Sequence, residues 1–140
     1  MSEANKALAK RFIEEFWDKG NFEVADEVMG LNYVNHNPPP GIPVDRDGYK
    51  EWGALFRSGF PDQQAVVEDI VAEGDLVVIR WSTTGTHQGE FMGIPPTGKR
   101  INLAGITIVR VDDGLFIEDW TQFDAMGLMQ QLGAIPAPGQ

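Results

Sequence analysis

Gly114-Leu-Phe-Ile-Glu-Asp-Trp-Thr-Gln-Phe-Asp124 has the make-up of a β-strand, with recurring aromatic and β-branched residues and no proline. Alternate residues of a strand share a face. Leu115, Ile117, Asp119, Thr121 and Phe123 are therefore expected on one side, apolar at both ends with a carboxylate and a hydroxyl between. A carboxylate on an apolar face is costly unless it is paired, protonated or turned toward a cavity. That cost makes Asp119 the first candidate for chemistry. The plainer alternative is an Asp bonded to neighbouring backbone or exposed at a sheet edge. The opposite face gathers Phe116 and Trp120, with Ile106 and Ile108 on the preceding strand. That much apolar surface predicts a subunit interface or a covering element. Arg110 and Glu118 are placed to pair across the two strands.

Working outward, Asp112-Asp113-Gly114 is a tight turn back to a strand over 99–111. Two more period-two runs lie upstream, over 65–73 and 76–85, and the short Gly74-Asp75 link makes them a hairpin. In the first, alternation puts Val66 and Ile70 on one face and Val67 and Val71 on the other. In the second, Val77, Ile79, Trp81 and Thr83 share a face. The glycine- and proline-rich connector 86–98 carries Phe91, Met92 and Ile94, which are expected to fold back over an apolar opening.

Before the strands the period is helical. Leu8, Phe12 and Phe16 recur over a helix from 3 to 19, and Asn21 reads as the N-cap of a short helix that Gly30 closes. Asp47 is placed to cap a third helix bearing Tyr49, Trp52 and Phe56. Between the last two, residues 31–47 hold four prolines and a glycine, which excludes helix and central strand. Tyr33, Asn35, His36 and Asn37 crowd polar groups ahead of these prolines. They either line the mouth of a pocket or merely cap turns. At the other end Asp124 caps a final helix with Leu128, Met129 and Leu132 on its apolar side, and the tail after Gly133 is expected on the surface. Helices followed by antiparallel strands give an α+β fold, with one domain over 1–133 and a tail over 134–140.

The chain has 11 Lys and Arg against 21 Asp and Glu, a net charge of −10, which disfavours nucleic acid and anionic membranes as partners. A neutral or weakly acidic small molecule suits it better. With no cysteine, there is neither a disulfide nor a thiolate metal site, in keeping with a cytoplasmic protein. Only two histidines are present, His36 and His87, so no metal site is expected.

The runs Val67-Glu-Asp-Ile-Val-Ala-Glu-Gly-Asp75, Gly85-Thr-His-Gln-Gly-Glu-Phe-Met-Gly-Ile-Pro-Pro-Thr-Gly98, Gly105-Ile-Thr-Ile-Val-Arg110 and Asp124-Ala-Met-Gly-Leu-Met-Gln-Gln-Leu-Gly133 together resemble the SnoaL-like polyketide cyclases of the NTF2-like superfamily. The resemblance implies a cone-shaped barrel, in which a curved antiparallel sheet wraps N-terminal helices around a deep apolar pocket. It also implies a homodimer or higher homo-oligomer.

For activity, it implies ring closure by intramolecular aldol condensation, with an inward carboxylate as acid and base and no cofactor. The family's His-Arg-Asp tripeptide falls on Asp119-Trp120-Thr121, so the family's base position holds Thr121. A family histidine position holds Thr107, and the pocket asparagine matches Asn35. Asp119, two residues back on the same face, is then the expected acid/base, about 7 Å along the same wall, with a raised pKa. Asn35, Thr107 and Thr121 are expected to orient a small apolar or aromatic carbonyl ligand. Trp81, Phe123, Tyr33 and Trp52 would wall it, with His36 at the mouth. Cyclisation or isomerisation is the leading reading. A non-catalytic binding pocket and an epoxide hydrolase-like enzyme of the same superfamily are the alternatives.

Overall fold

The period-two pattern becomes four antiparallel strands: β2 (Gln64–Glu73), β3 (Leu76–Thr86), β4 (Arg100–Asp112) and β5 (Leu115–Phe123). A computed structural model of the chain describes residues 2–136. Most of the expected tail lies outside the described residues. Ahead of the sheet come α1 (Ser2–Phe12), a π-helical turn (Ile13–Asp18), α2 (Val24–Val28), β1 (Met29–Asn35) and α3 (Arg46–Gly59); α4 (Ala125–Leu132) follows it. The strand order is β1-β5-β4-β3-β2. The sheet is curved and open, so the expected barrel does not close. α1 and the π turn pack on β2 and β3, burying Ala9, Phe12, Ile13 and Phe16 against Val77, Ile79, Val109 and Phe116. Among the described residues no helix is long and apolar enough to cross a membrane.

Three sequence expectations fail for local reasons. The first concerns residues 29–35, read as the end of a helix and the start of a loop. They form an edge strand parallel to β5. The prolines begin only at Pro38, just beyond it, and an edge position tolerates the half-satisfied backbone there. The second concerns the caps. Asp45, not Asp47, caps α3, its Oδ1 accepting from the Gly48 amide at 2.8 Å. Asn21 is followed by a turn, so α2 starts three residues later, without a side-chain cap.

The third is face parity. Ile117 is an extra residue between the pairs Arg110–Glu118 and Val111–Phe116, and Glu68 is extra between Val67–Trp81 and Asp69–Arg80. Each bulge reverses the alternation beyond it. Phe116 is therefore buried, 3% exposed, on the side of Asp119, and Leu115 faces out. Likewise Val67 and Ile70 share the inner side, while Val66 and Val71 are exposed.

The single helix expected over 3–19 also changes pitch. From Ile13 the turn widens, with the Lys19 amide reaching the Glu14 carbonyl at 3.0 Å. Asp18 then accepts from the Ala65 amide at 2.9 Å, fixing this turn to the start of β2. Connector residue Phe91 packs beneath Trp52, Phe56 and Phe60, whereas Met92 points to solvent.

Candidate functional site

The inner face of the sheet and the overlying helices enclose a concavity of about 860 Å³ of non-atom space, counted to its open mouth and including open solvent. Phe12, Ile13 and Trp17 from the helix, Trp52 and Phe56 from α3, and Trp81, Phe116 and Phe123 from the sheet make the walls largely aromatic. The polar groups among them are few, and they come in registered rows.

Asp119 is at the centre of the first row and is 3% exposed. Its Oδ2 accepts a hydrogen bond from the Tyr33 hydroxyl at 2.6 Å, and its Oδ1 is buried without a partner among the described residues. Burial pushes the carboxyl up to about 7, against the downward pull of the Tyr33 hydrogen bond and the charge of His36. Burial, then the Asp119 charge, raises the Tyr33 phenol far above its ordinary value, so Tyr33 remains a donor. A carboxyl divided between its two forms near neutral pH can both take and return a proton.

Asn35 stands opposite Asp119 in the parallel β1–β5 register. Its Oδ1 accepts from the Asn37 backbone amide at 3.0 Å, which leaves Nδ2 as its free donor, and the residue lines the concavity. Asn37 Oδ1 in turn accepts from the Thr121 amide at 3.0 Å. One row along, Thr107 and Thr121 share a 2.9 Å hydroxyl–hydroxyl bond, and the Trp81 indole donates to Thr107 at 3.0 Å. Trp81 lies flat over Gly105, where a Cβ would fall 2.3 Å from its ring. Gly105 thus has the strand glycine's usual role of letting a ring approach the backbone.

Of the residues expected from the sequence, Asp119, Asn35, Trp81, Thr107, Thr121, Phe123 and Trp52 line the concavity. Tyr33 does not. It lies behind Asp119 and acts on the carboxylate rather than on a ligand. His36 is a correction: β1 alternates, so with Asn35 inward His36 faces out. There it stacks on Trp120 with centroids 4.8 Å apart and meets Glu118 at 2.8 Å. The Glu118 carboxyl is held below its usual range by His36 and then Arg110, which reaches Glu118 at 2.8 Å. His87 is buried against Phe60, its Nδ1 taken by Thr97. No cluster of three or more His, Cys, Asp or Glu suited to a metal occurs among the described residues.

Sequence reasoning missed Gln63, Thr83, Tyr49 and Phe116 as lining residues. Phe116 was hidden by the bulge. Gln63 sits just after a Phe-Pro-Asp turn, with no period to reveal its direction.

Tyr33→Phe should raise the Asp119 pKa further, because it removes a hydrogen bond that favours the ionised form. Leaving Oδ2 unpartnered should also cost about 1–3 kcal/mol of stability. Carboxyl-carbon NMR titration beside a denaturant midpoint checks both; an unchanged or lower pKa would contradict the assigned bond.

The model of the SnoaL-like polyketide cyclase family matches residues 7–132. Aklanonic acid methyl ester cyclase DnrD of Streptomyces peucetius is 29% identical over 135 residues, covering 90% of this chain and 88% of its own. Among solved structures, AclR of Streptomyces galilaeus, a candidate hydroxylase, superposes with a TM-score of 0.87 at 29% identity, over 97% of this chain and 100% of its own. A candidate polyketide cyclase from Bacillus cereus gives 0.83 at 35% identity, over 94% and 82%.

Proposed function

This chain belongs to the SnoaL-like polyketide cyclase family, and from that premise we propose that it is a cofactor-independent enzyme closing a ring by intramolecular aldol condensation on a flat, mostly apolar carbonyl compound. The observation that carries the reading is the buried, unpartnered Asp119 Oδ1 in a largely aromatic concavity, on a carboxyl with its pKa near 7.

The steps follow from the registered rows. Asp119 Oδ1 takes a proton from a carbon flanked by carbonyls. The electron pair moves into the carbonyl, and Asn35 Nδ2 donates to the enolate oxygen. The enolate carbon attacks a second carbonyl of the same molecule, forming the carbon–carbon bond and an alkoxide. The protonated Asp119 returns its proton to that alkoxide, restoring the carboxylate. Tyr33 stabilises the carboxylate at the start and end of the cycle. Thr107 and Thr121 present hydroxyls to the ligand's edge, and Trp81 offers a face for its ring. DnrD is named for aklanonic acid methyl ester, and that compound is the first to try.

Proton abstraction is separable from ring closure. In D₂O the protein should exchange the acidic C–H of 2-acetyl-1-tetralone above the buffer rate, followed by proton NMR. It should also convert aklanonic acid methyl ester to a cyclised isomer of equal mass. Buffer-rate exchange together with an intact ester would defeat the proposal.

We also infer that copies of the chain meet over the outer face of the sheet. Val71, Val78, Ile108 and Trp120 stand in one cross-strand row there, and Ile106 is 48% exposed in the next. Ile108→Asp should shift the sedimentation coefficient toward that of a 15.5 kDa monomer; an unchanged value would place the contact elsewhere.

A further inference from the structure

Among the described residues, two buried side-chain oxygens of the concavity have no partner: Oδ1 of Asp119 and Oε1 of Gln63, a residue 4% exposed. We propose that Gln63 determines specificity, its carbonyl oxygen selecting ligands that carry a hydroxyl donor at the end of the cavity remote from Asp119. The proposal rests on the concavity being the ligand site, as described above, but not on the chemistry assigned to Asp119.

The orientation of the amide is fixed by its neighbour. Thr83 Oγ1 has one proton, which it donates to the Gln64 carbonyl at 3.0 Å. Toward Gln63, 3.3 Å away, that oxygen can therefore only accept, so the group facing it is Nε2. Oε1 is left as the group without a partner. The backbone around it is held as well. The Gln63 amide donates to the Phe60 carbonyl at 3.0 Å, and Arg57 donates to the Gln63 carbonyl at 3.5 Å. Turning the amide over would set two acceptors against each other at Thr83. An unpartnered buried acceptor is costly to keep, and a hydroxyl from a ligand removes the cost.

Position then says which end of a ligand is read. Thr83 pairs with Leu103 on β4, and Asp119 pairs with Val109, six residues further along the same strand. At 3.3 Å per residue the two rows are about 20 Å apart in a flat sheet, and closer on the inner side of a curved one. Between them lie the Thr107–Thr121 pair and the Trp81 ring over Gly105. A ligand reaching both ends is elongated and flat, with its acidic carbon beside Asp119 and a phenol or alcohol beside Gln63. Thr83 has no proton to spare, so it offers nothing to a carbonyl or quinone oxygen in that place.

The test compares 2-naphthol with 2-methylnaphthalene, equal in shape but differing in the donor, by quenching of tryptophan fluorescence. It is run in the wild type and in Asp119→Asn, where the second free acceptor has become an amide donor. In both, 2-naphthol should bind about 10- to 100-fold more tightly, the effect of one hydrogen bond to an otherwise unpartnered group. Gln63→Met, apolar and similar in length, should reduce the preference to within about threefold and raise the melting temperature, since it removes a buried orphan. A preference that survives Gln63→Met in the Asp119→Asn background overturns the proposal, as does a wild type that binds both compounds equally. A melting temperature lowered by Gln63→Met with the preference intact would make Gln63 purely structural and also overturn it. Failure of both compounds to bind would remove the ligand site itself and this proposal with it. By contrast, a lost C–H exchange with the hydroxyl preference retained would sink only the catalytic reading.

Discussion

Asp119→Asn should lower turnover by about 10²–10⁴-fold, the usual contribution of a positioned acid/base group, while making the folded protein more resistant to heat above pH 7. The second effect follows from the same burial as the first. The folded carboxyl titrates near 7 and its ordinary value is 3.8. Between those values the folded chain holds a proton that the unfolded chain has released, so wild-type stability falls as pH rises through that window. About 1.4 kcal/mol per unit sets a ceiling on the order of 4 kcal/mol. Asn keeps the shape and can still accept from Tyr33, yet carries no charge to bury. Its melting temperature should therefore exceed that of the wild type by a margin that grows as pH rises from 4 to 7 and then levels off. The two curves should draw together near pH 4. Parallel curves would mean that Asp119 is solvated or compensated in the folded state. Undiminished turnover in the variant would mean that the base lies elsewhere.

Gly105→Val should cost about 1–3 kcal/mol, the usual penalty of an overpacked site, and should abolish binding of flat ligands. The added Cβ would sit 2.3 Å from Trp81 Cζ2. Trp81 is tied at the adjoining Nε1 by the 3.0 Å bond to Thr107. The indole must therefore swing into the concavity, breaking the bond to the Thr107–Thr121 pair. Strand propensity works in the opposite direction, since valine suits a strand better than glycine. A net loss of stability would show the contact to dominate. Adding Trp81→Leu should recover most of it, and the double-mutant cycle measures the coupling. A single variant as stable as the wild type, with unshifted tryptophan fluorescence, would remove Trp81 from the wall.

The elements were legible because hydrophobic period is a local signal. The β5 segment, its Asp119–Thr121 spacing and the Asp124 cap all lie within a few residues of one another, and the Asp124 side chain does accept from the Gly127 amide at 2.9 Å. What was not legible is set by pairing at a distance. Strand β1 is a strand only because β5 lies beside it. Without that pairing Tyr33 cannot be matched to Asp119, 86 positions away. Nor can His36 be sent to the outer face. The role of Gln63 depends on which group already occupies the single proton of Thr83. That is a property of a network, and no spacing rule contains it.

The bulged Ile117 also bears on how such a sequence can change over generations. It is one codon that belongs to neither side of the alternation: Glu118 faces Arg110 on one side of it and Phe116 faces Val111 on the other. Losing it in frame would leave Asp119 paired with Val109 and Phe116 with Val111, with Phe116 still inward and Leu115 still outward. A one-residue deletion at this point therefore spares both the buried carboxylate and the buried ring. Moving an acid by two positions, between 121 and 119, keeps it on the same wall without any insertion. Homologous chains aligned without a gap at this bulge would therefore match residues that face opposite ways.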